Sequence, residues 1–288
     1  MQIASLFNQN KTVLSFEVFP PKKTSPIDTI YTTLEELQGL HPDFISVTYG
    51  AGGNIGDNIT CEIASAIKHK YKIEPLAHLT CVNYTRDEME RILERLEQNG
   101  IENILALRGD ASPDFPSQNQ FQYASELIEF IKKRGGFHVS GACYPEGHIA
   151  CDNLEEDIMN LKKKVDAGAE HLISQLFFDN SYFYTFLHNA RSAGIQVPIE
   201  AGIMPVVNKA QIERMVTLCG ASLPAKFTRM IQRFENSPEA LRDAGIAYAI
   251  DQIVDLISQG VDGIHLYTMN NAYIARKISD SISGLIKA

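Results

Sequence analysis

The segment Leu14-Ser15-Phe16-Glu17-Val18-Phe19-Pro20-Pro21 sets one carboxylate inside an apolar run. Phe16, Val18 and Phe19 favour a packed, pleated surface. Pro20 and Pro21 bring no backbone donors and end the ladder. Glu17 is therefore expected near the end of a buried strand, with aromatic neighbours that exclude water. An ionised carboxylate is costly there unless paired, so Glu17 should hold its proton more tightly than a surface carboxylate does. A Glu that keeps its proton near neutral pH is what a general acid requires. A Glu salt-bridged to a neighbouring Lys or Arg fits the same residues, and the segment alone leaves both readings open.

Positioning Glu17 requires a scaffold, and apolar strand-like runs recur along the whole chain. They fall at 13–19, 44–49, 75–81, 103–107, 138–144, 171–177, 198–204 and 263–269. Most are near-continuous rather than alternating, as expected of parallel strands covered on both faces. Helical patterns lie between them. In 85–98, Met89, Ile92, Leu93 and Leu96 share a face, and Thr85 with Glu88 has the spacing of a capping box. Segment 153–167 puts Leu154, Ile158, Leu161 and Val165 on one face, and 27–40 and 123–133 behave similarly. Strands alternating with helices eight times over 288 residues predict an α/β fold, a (β/α)8 TIM barrel. The alternative is a doubly wound open sheet. It usually announces a dinucleotide with a glycine fingerprint after the first strand. Here that strand ends in Phe-Pro-Pro-Lys-Lys, no G-x-G-x-x-G follows any strand, and there is no P-loop.

Composition is that of one globular domain spanning residues 1–288, with 44% hydrophobic residues. A net charge of -9 argues against a nucleic-acid partner, which needs a basic surface. The five cysteines are odd in number and form no C-x-x-C pair, which suits a reducing cytoplasm. Residues 1–11 are too polar for a signal peptide and no run approaches a membrane span, so neither membrane nor metal is expected.

In a barrel of this kind the C-terminal strand ends carry the active site. Strand two ends in Thr48-Tyr49-Gly50-Ala51, strand three holds His78 and Thr80, and strand four ends in Arg108-Gly109-Asp110. Strand five ends in Tyr144-Pro145-Glu146-Gly147-His148, strand six holds Gln175, and strand eight ends in Tyr267-Thr268-Met269-Asn270-Asn271. Singly, each has an ordinary explanation. His78 suits a satisfied core histidine, Arg108 and Asp110 an ion pair, Gln175 a hydrogen bond between barrel layers. As a ring at one end of nearly every strand they are harder to dismiss.

Six motifs in order carry a resemblance to a known family: Phe16-Glu17-Val18-Phe19-Pro20-Pro21, Val47-Thr48-Tyr49-Gly50-Ala51, His78-Leu79-Thr80-Cys81, Leu107-Arg108-Gly109-Asp110, Tyr144-Pro145-Glu146 and Lys164-Val165-Asp166-Ala167-Gly168-Ala169. From about Val13 to Asn270 the chain resembles the methylenetetrahydrofolate reductases, specifically their catalytic barrel alone, as in bacterial enzymes. The resemblance implies an FAD flavoprotein that takes hydride from NADH or NADPH. It passes this to 5,10-methylenetetrahydrofolate, making 5-methyltetrahydrofolate for methionine synthesis. Nicotinamide and folate would use the same flavin face in turn, a ping-pong scheme that needs no separate nicotinamide fingerprint. A homo-oligomer is compatible with it.

Carried over residue by residue, the resemblance makes Glu17 the general acid that protonates folate nitrogen 10, and Asp110 the carboxylate beside flavin and pterin. The FAD positions are Thr48, Tyr49, Ala51, His78, Arg108, Gly109, Asp110, Ala124, Tyr144, His148, Asp157, Asn160, Lys163 and Lys164. Gln175, Gln211 and Asn271 fall at folate-binding positions. The helical pattern puts Asp157, Asn160 and Lys164 on one face, and the adjacent Lys163 and Lys164 bring positive charge suited to a pyrophosphate. Without the resemblance, Lys162-Lys163-Lys164 reads as a solvated charge run. Three departures bear on substrate affinity: Asn271 stands where a related pattern has Arg, Met215 where some relatives have an aromatic, and the loop 52–58 lacks an Arg common there. Two other classes remain, a flavin-free phosphate-binding lyase and an inactive barrel serving as a binding scaffold. The absence of a glycine-rich phosphate loop after strand seven counts against the first, and intact Glu17, Asp110 and Gln175 against the second.

Overall fold

The computed structural model describes residues 1–9, 11–21, 26–49, 54–110 and 116–287. Its strands are β1 (Val13–Val18), β2 (Phe44–Val47), β3 (Glu74–Thr80), β4 (Asn103–Leu107), β5 (His138–Cys143), β6 (His171–Ser174), β7 (Ile199–Ile203) and β8 (Gly263–Tyr267). They close into a barrel in the order β1 to β8. Every neighbouring pair is parallel, and β8 returns to β1 with Ser15 opposite His265 and Glu17 opposite Tyr267. The expected (β/α)8 architecture is therefore the one observed, with every strand except β4 ending one to three residues before the apolar run does.

Helices α1 (Asp28–Gln38), α2 (Asn54–His69), α3 (Arg86–Gln98), α4 (Ala124–Arg134), α5 (Leu154–Asp166) and α6 (Asn180–Ser192) each follow one strand. Thr85 closes the predicted capping box on α3, accepting from Glu88 N while the Glu88 side chain accepts from Thr85 N. Between β7 and β8 three helices replace one: α7 (Lys209–Cys219), α8 (Ala225–Phe234) and α9 (Pro238–Ser258). They bring their own apolar cluster, in which Phe178 stacks on Phe227 beside Met204 and Leu241. The last helix, α10 (Ala272–Ile282), packs on α9 and α1.

Strand alternation sorts the side chains. Leu14, Phe16 and Val18 join the large outer cluster with the helices, while Val13 joins an inner one at the N-terminal end of the barrel. A short 3-10 helix, Ile3–Asn8, plugs that end with Ile3, Leu6 and Phe7, and Ile3 N donates to Asn103 Oδ1 at 2.9 Å. Above this plug the interior is polar. Ser15, Ser46, Ser140, His171, Glu200 and His265 are all fully buried.

Candidate active site

Glu17 lies at the C-terminal end of β1 with its side chain 18% exposed. Of the aromatic neighbours expected around it, Phe16 is one residue away along a strand and so faces the outer layer, and Tyr267 of β8 lies opposite it instead. Two imidazoles stand beside it. His78 Nε2 of β3 is 3.6 Å from Glu17 Oε2, and His265 Nε2 of β8 is 3.7 Å from the same oxygen. His78 is buried, and its Nε2 has no hydrogen-bond partner, so it is not the satisfied core histidine that its type alone favours. Burial pushes its imidazole down to about 4, with the Glu17 carboxylate opposing, so it is neutral near pH 7. A neutral ring nitrogen facing a carboxyl oxygen is satisfied when one proton sits between them.

The end of β8 holds β1 in register. Thr268 Oγ1 donates to Glu17 O at 2.6 Å. Asn270 accepts from Phe19 N at 3.0 Å and donates to Phe19 O at 2.8 Å. Met269 and Asn270 turn this corner in the left-handed region, at φ 52° and 55°. Asn271, expected at the folate, caps α10, its Oδ1 accepting from Ile274 N at 3.2 Å.

A cleft of about 400 Å³ opens between β4, β5 and α5, within the range of small-molecule sites, roughly 300–1,000 Å³. Arg108, Ala124, Tyr144, His148, Asp157, Asn160, Lys163 and Lys164 all line it. Eight of the positions expected for FAD thus converge although they come from two strand ends and two helices. Asn153 starts α5 by accepting from Glu156 N at 2.9 Å, which fixes where the next two turns point. Lys164 is half-buried, donates to Ala142 O at 2.8 Å and lies 5.5 Å over the Tyr144 ring. Burial lowers its proton affinity. Lys163 is exposed and donates to Asn160 Oδ1 at 2.9 Å, whereas Lys162 turns away to pair with Asp166. Burial raises Asp157, and pushes Tyr144 up to about 12, so both sit in a dry wall. Tyr144 meets His148 edge-on at 4.7 Å.

Gly109 adopts φ 78°, and a Cβ there would come 2.8 Å from Thr80 Cβ, so the turn between Arg108 and Asp110 needs glycine. The two flanking side chains form a loose 3.8 Å pair in which Asp110 is fully exposed. Thr48 and Tyr49 follow β2, where Tyr49 donates to the Tyr84 hydroxyl at 2.6 Å. Gln175 turns its Oε1 back to Leu176 N at 2.9 Å instead of bridging barrel layers. Gln211, in the first turn of α7, keeps a buried Nε2 with no partner. Such a donor costs roughly 1–3 kcal/mol unless a ligand accepts from it. Ala51 lies outside the described residues. One residue that the sequence reading passed over is His265. Counting by twos from Gly263 points His265 inward, and that signal was available.

The cleft and Glu17 both open at the C-terminal end of the barrel, where (β/α)8 enzymes carry their chemistry, and the chain is an enzyme of that class. Residues 2–283 match the model of the family described as Methylenetetrahydrofolate reductase, and the chain belongs to that family. It is 36% identical over 274 residues to the 5,10-methylenetetrahydrofolate reductase of Escherichia coli, covering 95% of this chain and 92% of that one. It is also 36% identical over 284 residues to methylenetetrahydrofolate reductase (NADH) 1 of Arabidopsis thaliana, covering 93% of this chain but only 48% of the plant protein. An uncharacterized protein from Clostridium thermocellum that binds two copies of 5-methyl-5,6,7,8-tetrahydrofolic acid superposes with a TM-score of 0.67. It covers 100% of both chains at 15% identity, a likeness of fold alone. Among the described residues, no helix is long and apolar enough to cross a membrane, and no cluster of His, Cys, Asp and Glu could hold a metal ion.

Proposed function

We propose that residues 1–288 form one catalytic unit in the cytoplasm that reduces 5,10-methylenetetrahydrofolate to 5-methyltetrahydrofolate with FAD and NADH or NADPH. The convergence of eight expected FAD positions on one cleft supports the cofactor. Lys163, Lys164 and Arg108 offer its pyrophosphate positive charge, Tyr144 and Ala124 offer it an apolar wall, and Asp157 and Asn160 offer hydrogen bonds. FAD, when bound, supplies the hydride that NADH or NADPH delivers. The unpartnered Nε2 of Gln211 and the side chain of Gln175 are the folate contacts in this reading.

The single observation that carries the mechanism is the facing of Glu17 Oε2 and the partnerless His78 Nε2 at 3.6 Å. One proton on Glu17 satisfies both atoms and is available to a substrate at the barrel mouth. Glu17 gives it to nitrogen 10 of the folate, the methylene bridge opens, and an iminium is left on nitrogen 5. Asp110 places an anion where that cation develops. Hydride addition to the iminium completes the methyl group. His78 stays neutral throughout and does not compete as a cation.

Glu17→Gln keeps the shape of the side chain but cannot donate the proton. Flavin reduction by the nicotinamide should stay within about tenfold of wild type, while flavin reoxidation by methylenetetrahydrofolate should fall by ~100-fold or more, the scale of a lost general acid. Stopped-flow absorbance separates the two steps. Equal losses in both would reduce Glu17 to a structural residue.

A further inference from the structure

The barrel interior holds titratable groups that this reaction leaves unused. Glu200 on β7 is fully buried at the barrel centre. Its Oε1 accepts from Ser15 Oγ at 2.9 Å, Ser15 Oγ lies 2.6 Å from His265 Nδ1, and His265 Nε2 faces Glu17 Oε2 at 3.7 Å. Ser46 Oγ lies 3.4 Å from the same Nε2. The other Glu200 oxygen, Oε2, is 3.1 Å from His171 Nε2, and neither atom has a hydrogen-bond partner. One proton between those two atoms, on either of them, turns the contact into a hydrogen bond. Room for the carboxyl is built in, since a Cβ at Gly263 would come 2.7 Å from Glu200 Cγ. A buried carboxyl is a costly way to fill a barrel layer compared with an apolar side chain of similar volume.

We propose that Glu200, Ser15 and His265 form a proton relay inside the barrel that recharges Glu17 after each turnover, with Glu200 as the store. The proposal rests on the reading of Glu17 as the general acid. Each turnover moves one proton from Glu17 to the substrate nitrogen and leaves a carboxylate. In the recharge, Ser15 turns its hydroxyl from Glu200 to His265 Nδ1; His265 gives its Nε2 proton to Glu17, Ser15 gives its hydroxyl proton to His265 Nδ1, and Glu200 gives a carboxyl proton carried on Oε1 to Ser15 Oγ. Three bonds to hydrogen break and three form, no electrons change hands, and the negative charge moves from Glu17 to Glu200. His265 and Glu200 can take a proton on one atom and release one from the other, while Ser15 does both at Oγ, and His265, left with its proton on Nδ1, must return to the Nε2 tautomer before the next recharge.

Water then refills the store from the opposite face of the barrel. His171 Nδ1 is 3.0 Å from Ser140 Oγ, which is 3.4 Å from His138 Nε2, and His138 Nδ1 is 3.2 Å from Glu170. Glu170 precedes β6 and is 39% exposed, so the file reaches solvent away from the substrate. The groups facing Glu200 set when it holds its proton. Burial raises its carboxyl most, His265 and Ser15 oppose, and the carboxylates of Asp43 and Asp262 raise it further, to about 8. It is therefore loaded near pH 7. Glu17, at the other end, faces His78 and His265, and its charge also reaches Tyr267.

Glu200→Gln keeps the shape and the Ser15 contact but cannot release a proton, and Ser15→Ala cuts the same path without touching a carboxyl. Both are measured as FAD-loaded enzymes in three ways. Flavin reduction by nicotinamide, and the first flavin reoxidation by methylenetetrahydrofolate, which spends the proton already on Glu17, should match wild type. Steady-state turnover should fall ~10-fold or more, and the wild-type decline in turnover above about pH 8 should disappear. Infrared spectra at pH 7 give a readout without turnover: Glu200→Gln should remove one buried protonated-carboxyl band. Wild-type turnover and pH profile in both variants, an equal loss in first and later turnovers, or no lost carboxyl band in Glu200→Gln would each overturn the relay. A wild-type enzyme that never passes hydride to methylenetetrahydrofolate would instead overturn the proposed reaction, and the relay with it.

Discussion

Asp110 shows how much one exposed charge can be asked to do. Among the described residues, its carboxylate makes a loose pair with Arg108. It also acts on Tyr144, whose hydroxyl burial has already raised, together with Asp157. An anion at this rim disfavours electron density on a flavin seated in the cleft. Asp110→Asn should therefore raise the midpoint potential of the bound flavin, on the order of tens of millivolts for one charge in a partly solvated site. The same change should slow folate reduction, because the iminium loses its anion. Spectroelectrochemistry of the variant decides the matter, and an unchanged or lower potential would move Asp110 away from the flavin.

At the scale of one element, α5 carries half of the cleft. Asp157, Asn160 and Lys164 follow at intervals of three and four, so one helical face presents all three. The two adjacent lysines do different work. Lys164 closes onto the β5 carbonyl of Ala142 and covers Tyr144, while Lys163 reaches outward from Asn160. Lys163→Ala should weaken FAD binding ~10-fold and leave unfolding of the FAD-free protein unchanged. Lys164→Ala should weaken both, since the lost charge-assisted bond is worth roughly 1.5–3 kcal/mol. Fluorescence titration with FAD and thermal melts without it test the split. Equal behaviour of the two variants would mean that the helix merely presents a charged face.

The whole molecule pays for its polar interior in a pH-dependent way. Burial lowers His78 to about 4 and His171 well below its ordinary value, so the unfolded chain binds more protons below pH 6.5 and stability falls as the solution is acidified. Glu200 has the opposite sign. Its folded carboxyl, raised to about 8, keeps a proton that the unfolded chain has already released, so its contribution to stability falls as pH rises toward 8 and is level beyond. From pH 6.5 to 8 the contributions of His78 and His171 are nearly flat while that of Glu200 falls. One proton over that range is about 2 kcal/mol, or a few degrees of melting temperature in a chain of this size. Wild type should therefore melt progressively lower from pH 6.5 to 8, and Glu200→Gln should melt at a nearly constant temperature. Parallel curves for the two proteins would show that Glu200 titrates as an ordinary carboxyl.

The elements were legible in the sequence because their signals are local. The apolar runs from Val13 and from Gly263, the capping box at Thr85 and the face shared by Asp157, Asn160 and Lys164 all depend on residues within a turn or two of one another. The polar strand ends were legible for the same reason, and so was Glu17 as the residue to watch. Its surroundings were not. Strand alternation turns Phe16 outward, and the closing register of β1 on β8 brings His265 to Glu17 from 248 positions away. The same closure sets Ser15 against Glu200 and makes a continuous file of groups that are scattered singly along the chain. Asn271, read as a substrate contact, is taken up by the start of α10 because its side chain lies where that helix leaves its first amides unpaired. Periodicity is fixed by bonds between near neighbours, whereas the partners of an inward-facing side chain are fixed only when eight strands close on one axis.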